Sequence, residues 1–236
     1  MREKKIEEDS FFIRQNGLFV TQKMSRRIAI VIEGGVGAGK TVLFEKLKSK
    51  FGDNVCFLEE PYFGFVELRG KSYSPLKEMY ENPIAEDNYV CTQEYITKRL
   101  GEHYMNGLRN TTVTIMDRWI RSCEYFIRLR REIGLITDFT KDFLLDHVDK
   151  LQAILDKELE KVVVYRYLLK TPPEQCAENV FKRGRQEEVG CLEDFWIDFN
   201  ERFYKLAERF GGPYHLIGSS EVIEVDICKL VKRHSQ

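Results

Sequence analysis

The sequence predicts an α/β domain in which helices flank a five-stranded parallel sheet. Short apolar segments rich in β-branched residues alternate with longer segments of helical spacing, a pattern typical of a parallel sheet covered on both faces. The chain has 236 residues, which is enough for one domain with a full core. A glycine-rich turn between the first apolar segment and the next helix indicates where such a sheet binds its ligand.

The predicted elements follow one another in the order expected for strand–helix crossovers. Five short apolar runs predict strands at 27–32, 55–59, 112–116, 161–168 and 221–226. Apolar residues recurring every three or four positions predict helices near 40–51, 75–82, 86–106, 119–133, 138–158, 173–183 and 192–210. We therefore assign residues 26–236 to one domain.

Residues 1–25 differ from the rest of the chain and predict a charged N-terminal extension. Their first part is dense in charges of both signs, and acids such as Glu7 and Asp9 argue against a mitochondrial transit peptide. The apolar residues that follow, Phe11 among them, either dock on the domain or belong to a mobile arm.

Composition narrows the classes of function. The formal net charge is −1, so the chain has no global basic field, and we expect no nucleic-acid partner. The six cysteines form no C-x-x-C pair, which indicates reduced thiols and a cytoplasmic location, or the host cytoplasm if the protein is viral. No apolar run approaches the length of a membrane span, so we expect no membrane partner.

Residues 34–41, called here the phosphate loop, carry the strongest functional signal. They match the pattern G-x-x-x-x-G-K-[ST] with Gly34, Gly35, Val36, Gly37, Ala38, Gly39, Lys40 and Thr41. Glycines let backbone N–H groups approach a phosphate, and the following helix N-terminus adds partial positive charge. Lys40 can reach the β- and γ-phosphates, while the Thr41 hydroxyl can coordinate Mg²⁺. The motif predicts that the chain binds a nucleoside triphosphate.

Charged residues stand where three other predicted strands end. Glu60 follows the second strand and Asp117-Arg118 the third, while the fourth leads into a helix that ends at residues 183–188, Arg-Gly-Arg-Gln-Glu-Glu. Taken singly, each fits a solvated turn, a helix cap or a salt-bridged face. Because the carboxyl ends of parallel strands meet beside the phosphate loop, we interpret them together as one catalytic site.

These motifs resemble the deoxynucleoside kinase family, which includes deoxycytidine, deoxyguanosine and mitochondrial thymidine kinases. The resemblance covers roughly residues 26–226 and is carried by 33–41, Glu60-Pro61, Met79-Tyr80, Gln93, Asp117-Arg118 and 183–188. It implies a P-loop kinase fold with an arginine-rich lid, and phosphorylation of a deoxyribonucleoside at its 5′-hydroxyl. It also implies that ATP is the donor, that Mg²⁺ is the cofactor, and that the chain forms a homodimer packed through helices.

The resemblance implies catalytic roles for three residues and a metal site for two. Glu60 would take the proton from the attacking 5′-hydroxyl, which must lose it as the bond forms. Arg118 would hold the 5′ end of the substrate, and Lys40 would contact the phosphates of ATP. Thr41 and Asp117 would support Mg²⁺.

Further positions match the family's lid and substrate pocket. Arg183 and Arg185 would close over the phosphoryl oxygens of ATP. The substrate-binding set implied by the resemblance is Glu60, Phe65, Tyr80, Gln93, Arg118 and Glu188. Within it, Tyr80 and Glu188 match positions that bind the sugar 3′-hydroxyl. Gln93 can pair with the base because an amide both donates and accepts hydrogen bonds. The alternatives are an exposed helix position for Gln93 and ordinary core packing for Phe65.

The chain departs from the family pattern beside the catalytic arginine and near the base. The family usually has Glu-Arg-Ser where this chain has Asp117-Arg118-Trp119, although viral thymidine kinases also use aspartate. The aromatic residue that stacks on the base aligns with Ile127, and Phe126 is adjacent. Either the register moves by one residue or stacking is weaker here.

The predicted base preference depends on two positions that carry charged groups in deoxycytidine-type members. These positions fall at Leu100 and Cys123, and an uncharged pocket can admit a methyl group. The sequence therefore favours thymidine or a broad range of pyrimidine nucleosides as substrates.

Two other functions remain open at this point. A nucleoside monophosphate kinase such as thymidylate kinase shares the loop, an Asp-Arg pair and an arginine lid. Its acceptor already carries a phosphate and requires arginine where this chain has Glu60. A non-catalytic nucleotide-binding module is the second alternative, but an arginine-rich lid has no use without phosphoryl transfer.

Overall fold

The computed structural model describes residues 10–15, 18–23, 27–60, 85–108, 111–160, 162–185, 188 and 191–234. The first two of these segments are strands β1 (Ser10–Gln15) and β2 (Leu18–Lys23), which pair as an antiparallel hairpin. The sequence analysis predicted no strand in this part of the chain. The predicted helix at 75–82 and the candidate site residues Phe65 and Tyr80 lie outside the described residues.

A five-stranded parallel sheet lies at the centre of the domain, as predicted. Its strands are β3 (Arg27–Gly34), β4 (Cys56–Leu58), β5 (Val113–Asp117), β6 (Val162–Leu169) and β7 (Leu216–Gly218). Their spatial order is β4-β5-β3-β6-β7, and every neighbouring pair is parallel. The central strand β3 leads into the phosphate loop, so its neighbours β5 and β6 end on either side of that loop.

Helices cover both faces of this sheet. Those that the structure describes are α1 (Lys40–Phe51), α2 (Glu86–Leu108), α3 (Ser122–Glu132), α4 (Asp138–Leu159), α5 (Pro173–Arg183), α6 (Glu193–Phe210) and α7 (Ser220–His234). Among these helices, none combines the length and apolar character that crossing a membrane requires.

Alternate side chains of β3 enter two different cores. Ile28, Ile30 and Ile32 pack with apolar residues of α1 and α7 on one face of the sheet. Ala29 and Val31 pack with residues of α2 and α4 on the other face. This alternation follows from the two-residue period of a strand, and burial on both faces explains why the strand is apolar at nearly every position.

The predicted strand at 221–226 is wrong, because those residues belong to α7. Ile223, Ile227, Leu230 and Val231 are buried along one face of that helix, at the spacing of helical turns. The β-branched residues Val222, Ile223 and Val225 in the first part of this helix give it the composition of a strand. The fifth strand is instead the short β7, which pairs with the end of β6.

Candidate active site

The phosphate loop is shaped by two glycines with positive φ and by close packing against α5. Gly37 has φ 81° and Gly39 has φ 95°, conformations that side chains other than hydrogen disfavour. A Cβ atom on Gly37 would lie 2.1 Å from the carbonyl oxygen of Cys176 in α5. The loop therefore needs glycine at this position both for its backbone conformation and for space.

Lys40 lies folded over the loop at the start of α1. Its Nζ donates hydrogen bonds to the carbonyl oxygens of Gly34 at 3.3 Å and Gly35 at 3.1 Å. Burial lowers the pKa of Lys40, and the nearby guanidinium groups of Arg118 and Arg183 lower it further. The ammonium group is thus held where phosphate oxygens of a bound nucleotide can replace the loop carbonyls.

Asp117 and Arg118 form a sharp turn at the end of β5, next to the loop. Asp117 pairs with Ile32 of β3, and the Arg118 N–H donates to the Ile32 carbonyl at 3.0 Å. Arg118 has φ 69°, a left-handed conformation that costs a residue other than glycine about 1–3 kcal/mol. The Tyr104 hydroxyl of α2 donates to the carbonyls of Arg118 at 3.0 Å and Asp117 at 3.3 Å, and so stabilises the turn.

The Arg118 side chain is buried between carboxylates and aromatic rings. Its Nε lies 3.5 Å from Oε1 of Glu60, whose side chain is 31% exposed. The guanidinium carbon lies 4.9 Å from the ring centre of Phe126 and 5.6 Å from that of Phe203. Within the described residues, neither Nε nor Nη1 of Arg118 donates a hydrogen bond. These N–H groups can therefore donate to a ligand beside Glu60.

Asp117 and Thr41 are suited to hold a hard divalent cation. Burial raises the pKa of Asp117, and the nearby ammonium group of Lys40 partly offsets this rise. In the described part of the chain, Oδ1 of Asp117 forms no hydrogen bond. Carboxylate and hydroxyl oxygens are the ligands that Mg²⁺ prefers. No cluster of three or more His, Cys, Asp or Glu that could hold a metal occurs within the described residues. One carboxylate and one hydroxyl fit Mg²⁺, which usually takes few protein ligands together with substrate phosphates.

The residues that the family resemblance assigns to a lid follow the end of α5. Gly184, in a left-handed conformation, caps the helix directly after Arg183. Arg183 donates two hydrogen bonds to Glu188, with its Nε 2.9 Å from Oε2, and Glu188 is buried. The positive charge of Arg183 also lowers the pKa of Lys40. Arg185, which follows the capping Gly184, is partly buried. Arg183, one of the two predicted lid arginines, is thus within electrostatic range of Lys40 in the phosphate loop.

The candidate base-reading residue Gln93 is buried in α2, which contradicts the alternative of an exposed helix position. Its Nε2 donates to Oγ1 of Thr97 at 3.3 Å, and the Thr97 side chain in turn bonds the Cys123 thiol. Leu100, Cys123 and Ile127 belong to one buried cluster beside this helix. The positions matched to the base edge and to the stacking residue therefore lie together, whereas Phe126 faces Arg118.

A buried network below the loop escaped the sequence analysis. Glu33, which directly precedes Gly34, is fully buried, and the Ser122 hydroxyl donates to its Oε2. Arg166 of β6 lies with Nη2 3.6 Å from Oε1 of Glu33 and donates to the Tyr125 hydroxyl at 3.1 Å. An arginine inside an otherwise apolar predicted strand was the available signal, because a buried charge requires a partner.

A parallel sheet whose central strand leads through a glycine-rich loop into a helix has the P-loop motif of nucleotide-binding proteins. The family model described as deoxynucleoside kinase matches residues 30–235, and the chain belongs to that family. It is therefore a phosphotransferase that phosphorylates nucleosides, and ATP binding is expected for the family.

The curated relatives are distant. The chain is 25% identical over 209 residues to the mitochondrial thymidine kinase 2 of Homo sapiens, covering 87% of this chain and 73% of that protein. It is 25% identical to the thymidine kinase of Ictalurid herpesvirus 1, covering 75% and 72% of the two chains. It is also 25% identical to the thymidylate kinase of Mycoplasma pneumoniae, covering 75% and 79%.

A solved structure shares the fold. The deoxyadenosine kinase from M. mycoides with bound dCTP superposes with a TM-score of 0.66 at 16% identity, covering 86% of this chain and 97% of that chain. At this identity the likeness concerns the fold, and it matches the predicted P-loop kinase architecture.

Proposed function

We propose that this chain transfers the γ-phosphoryl group of ATP to the 5′-hydroxyl of a pyrimidine deoxyribonucleoside, with thymidine preferred, and so supplies DNA precursors by salvage. The observation that carries the proposal is the Glu60 carboxylate, 3.5 Å from Arg118 at the strand end beside the phosphate loop. A carboxylate at this place suits an uncharged acceptor that must lose a proton.

The acceptor is activated and held by this pair. Glu60 accepts the proton of the 5′-hydroxyl as its oxygen attacks phosphorus, and this requires a base within hydrogen-bond reach. Arg118 donates its unpartnered N–H groups to the 5′ end of the nucleoside and to the transferring phosphoryl group. The buried setting strengthens both interactions, because less water screens them.

The donor lies along the loop and under the lid. Lys40 leaves the carbonyls of Gly34 and Gly35 for the β- and γ-phosphates, and Arg183 and Arg185 bind the outer phosphoryl oxygens. Thr41 and Asp117 would hold Mg²⁺. When bound, this ion neutralises charge on the phosphates.

The base pocket supports a pyrimidine preference. Gln93, already buried, presents an amide to the Watson–Crick edge of the base. Leu100 and Cys123, buried in the adjacent cluster, place no charged group there, and an uncharged pocket can admit the methyl group of thymine. Ile127 in the same cluster supports weaker stacking on the base, rather than a shift of register to Phe126. Glu188 binds the sugar 3′-hydroxyl, a role that the family resemblance also implies for Tyr80. Tyr80 and Phe65, which the resemblance matches to the substrate pocket, lie outside the described residues.

Thymidylate kinase activity is the second candidate, because one curated relative carries that name. Its acceptor is a monophosphate, whose charge would lie beside Glu60. Two like charges 4 Å apart repel by about 4 kcal/mol at an effective dielectric constant of 20. The carboxylate therefore favours a nucleoside over a nucleotide as acceptor, and the predicted lid residues Arg183 and Arg185 argue against a purely binding module.

The proposal is tested by ATP consumption with Mg²⁺ against thymidine, deoxycytidine, deoxyadenosine, deoxyguanosine and thymidine monophosphate in parallel. We expect turnover with the nucleosides, fastest with thymidine and next with deoxycytidine. Turnover with the monophosphate alone would establish the second candidate, and a purine preference would overturn the reading of the base pocket.

Glu60→Gln separates catalysis from binding. We expect turnover to fall by at least about a hundredfold, since a positioned base typically contributes that much, while ATP still raises the melting temperature. Glu59→Gln is the matched control, because Glu59 is exposed and paired with Lys48. Equal rates in wild type and Glu60→Gln would remove Glu60 from the mechanism.

A homodimer is part of the proposal. Phe139, Phe143 and Ile154 of α4 are 82%, 47% and 47% exposed, and their spacing places them on one face of the helix. A second copy of the chain covers this face. Light scattering of the purified protein should give the dimer mass, and Phe139→Glu should shift it to the monomer.

A further inference from the structure

The phosphate loop is braced from outside by two side chains that the proposed chemistry does not use. Nδ2 of Asn179 in α5 donates to the carbonyl oxygen of Gly37 at 2.8 Å. Oγ1 of Thr171, at the turn between β6 and α5, donates to the carbonyl oxygen of Ala38 at 2.8 Å. Both bonds join residues far apart in sequence, so they fix the loop against the rest of the domain.

These two bonds determine where the next two amides of the loop point. In a trans peptide the C=O of one residue and the N–H of the following residue point in opposite directions. Holding the carbonyls of Gly37 and Ala38 toward α5 therefore turns the N–H groups of Ala38 and Gly39 away from α5. The Ala38 N–H indeed points across the loop, toward the Gly35 carbonyl at 3.4 Å, a distance too long for a strong hydrogen bond.

The loop needs this help because glycine leaves its peptides free to rotate. Positive φ is accessible to Gly37 and Gly39, but so are many other conformations, and a phosphate site requires several N–H groups to converge. The Asn179 side chain is itself oriented, since Nε2 of Gln175 lies 3.4 Å from its Oδ1. Its amide therefore presents the donor, rather than the acceptor, to the loop.

We propose that Asn179 and Thr171 are positioning residues for the triphosphate, which aim the Ala38 and Gly39 amides at its oxygens. The inference rests on the proposed function in that ATP is the donor. Asn179 precedes Arg183 by one turn of α5, so the helix that carries the lid arginine also orients the loop. Because α5 carries both Asn179 and Arg183, it fixes the loop and the lid arginine relative to each other.

The test measures phosphate binding separately from nucleoside turnover. Thr171→Val and Asn179→Ala each remove one donor, Thr171→Ser keeps the hydroxyl, and Glu178→Ala changes the exposed neighbour of Asn179 in the same helix. For every variant the measurements are the Kd for inorganic tripolyphosphate, the KM values for ATP and thymidine, and the melting temperature without ligand.

We expect Thr171→Val and Asn179→Ala to weaken tripolyphosphate binding and raise the ATP KM about tenfold each, as for loss of one aligned donor to a charged ligand. The thymidine KM should stay unchanged, and Thr171→Ser and Glu178→Ala should resemble wild type. A lower melting temperature with wild-type tripolyphosphate affinity would overturn the inference, because the two bonds would then be purely structural.

The same data separate this inference from the proposed function. If wild type binds tripolyphosphate and the variants lose it, but no nucleoside is phosphorylated, the positioning role stands and the proposed acceptor is wrong. If wild type does not bind tripolyphosphate, the positioning role is overturned with the donor assignment.

Discussion

Two neighbouring turns, at the ends of β3 and β5, both require positive φ, and they place different types of residue there. The phosphate loop uses glycines at its positive-φ positions, Gly37 and Gly39, whereas the second turn places Arg118 at φ 69°. Glycine adopts this conformation with little strain but leaves the peptides undirected, so the loop relies on side chains outside it. Arginine is strained there, so the second turn requires bonds that hold its backbone.

The difference shows which turn needs a side chain. In the proposed site the loop binds through backbone N–H groups, and a Cβ atom would only obstruct it. In the proposed site the second turn supplies the Arg118 guanidinium group, and Tyr104 offsets the strain by bonding the carbonyls of Asp117 and Arg118. Trp119 stacks on Tyr104 with ring centres 5.4 Å apart and planes 18° apart, which gives a structural reason for tryptophan where the family usually has serine.

The largest effect is expected from Gly37→Ala. The added Cβ would lie 2.1 Å from the Cys176 carbonyl oxygen, so the loop must move. We expect ATP binding to be lost and the free energy of unfolding to fall by about 3 kcal/mol from strain and overpacking. Gly39→Ala is the control, because its Cβ would meet no atom of the described residues within 4 Å and so adds mainly backbone strain. Equal losses in both variants, measured by calorimetry, would show that space at Gly37 does not matter.

A smaller effect on stability, but a large one on turnover, is expected at Arg118. Arg118→Ala and Arg118→Gly both remove the guanidinium, and we expect turnover to fall about a thousandfold in each. Only alanine keeps the strain at positive φ. The free energy of unfolding should therefore be about 1 kcal/mol higher for the glycine variant than for the alanine variant. Denaturant unfolding of the pair measures this difference, and identical stabilities would mean that the turn is not strained.

The smallest effect is expected from Tyr104→Phe. Losing the hydroxyl should reduce the free energy of unfolding by about 1 kcal/mol. The kcat should fall up to about tenfold, because Arg118 is held less firmly, with the ATP KM unchanged. Tyr167→Phe is the matched control, since Tyr167 is also fully buried but its hydroxyl bonds Asp226 in α7. A similar loss of kcat in both variants would contradict a specific role for Tyr104.

Patterns local in sequence predicted the sheet, the loop and the helices that carry the charged site residues. Burial on both faces makes strands such as β3 continuously apolar, and helices repeat their apolar residues with each turn. The same approach failed at 221–226, where several β-branched residues at the start of α7 hid a helical period that continues to Val231. The short edge strand β7 is too brief to leave a pattern of its own.

The supporting contacts of the site could not be predicted in this way. Asn179 and Thr171 bond backbone atoms 142 and 133 residues away, and Tyr104 bonds carbonyls 13 and 14 residues away. A side chain that bonds a distant carbonyl follows no period and requires no particular neighbour in sequence. Such residues become visible only when the tertiary fold brings the two segments together.

The pairing of Arg183 with Glu188 has a thermodynamic consequence for how the two substrates bind. In the proposed site the arginine serves the phosphate donor and the glutamate serves the nucleoside sugar, so the first ligand to arrive must separate the pair. The second ligand then binds a residue whose ion pair is already broken, so its affinity is higher than it would be without the first ligand. By reciprocity, ATP raises the affinity for the nucleoside by the same factor that the nucleoside raises the affinity for ATP.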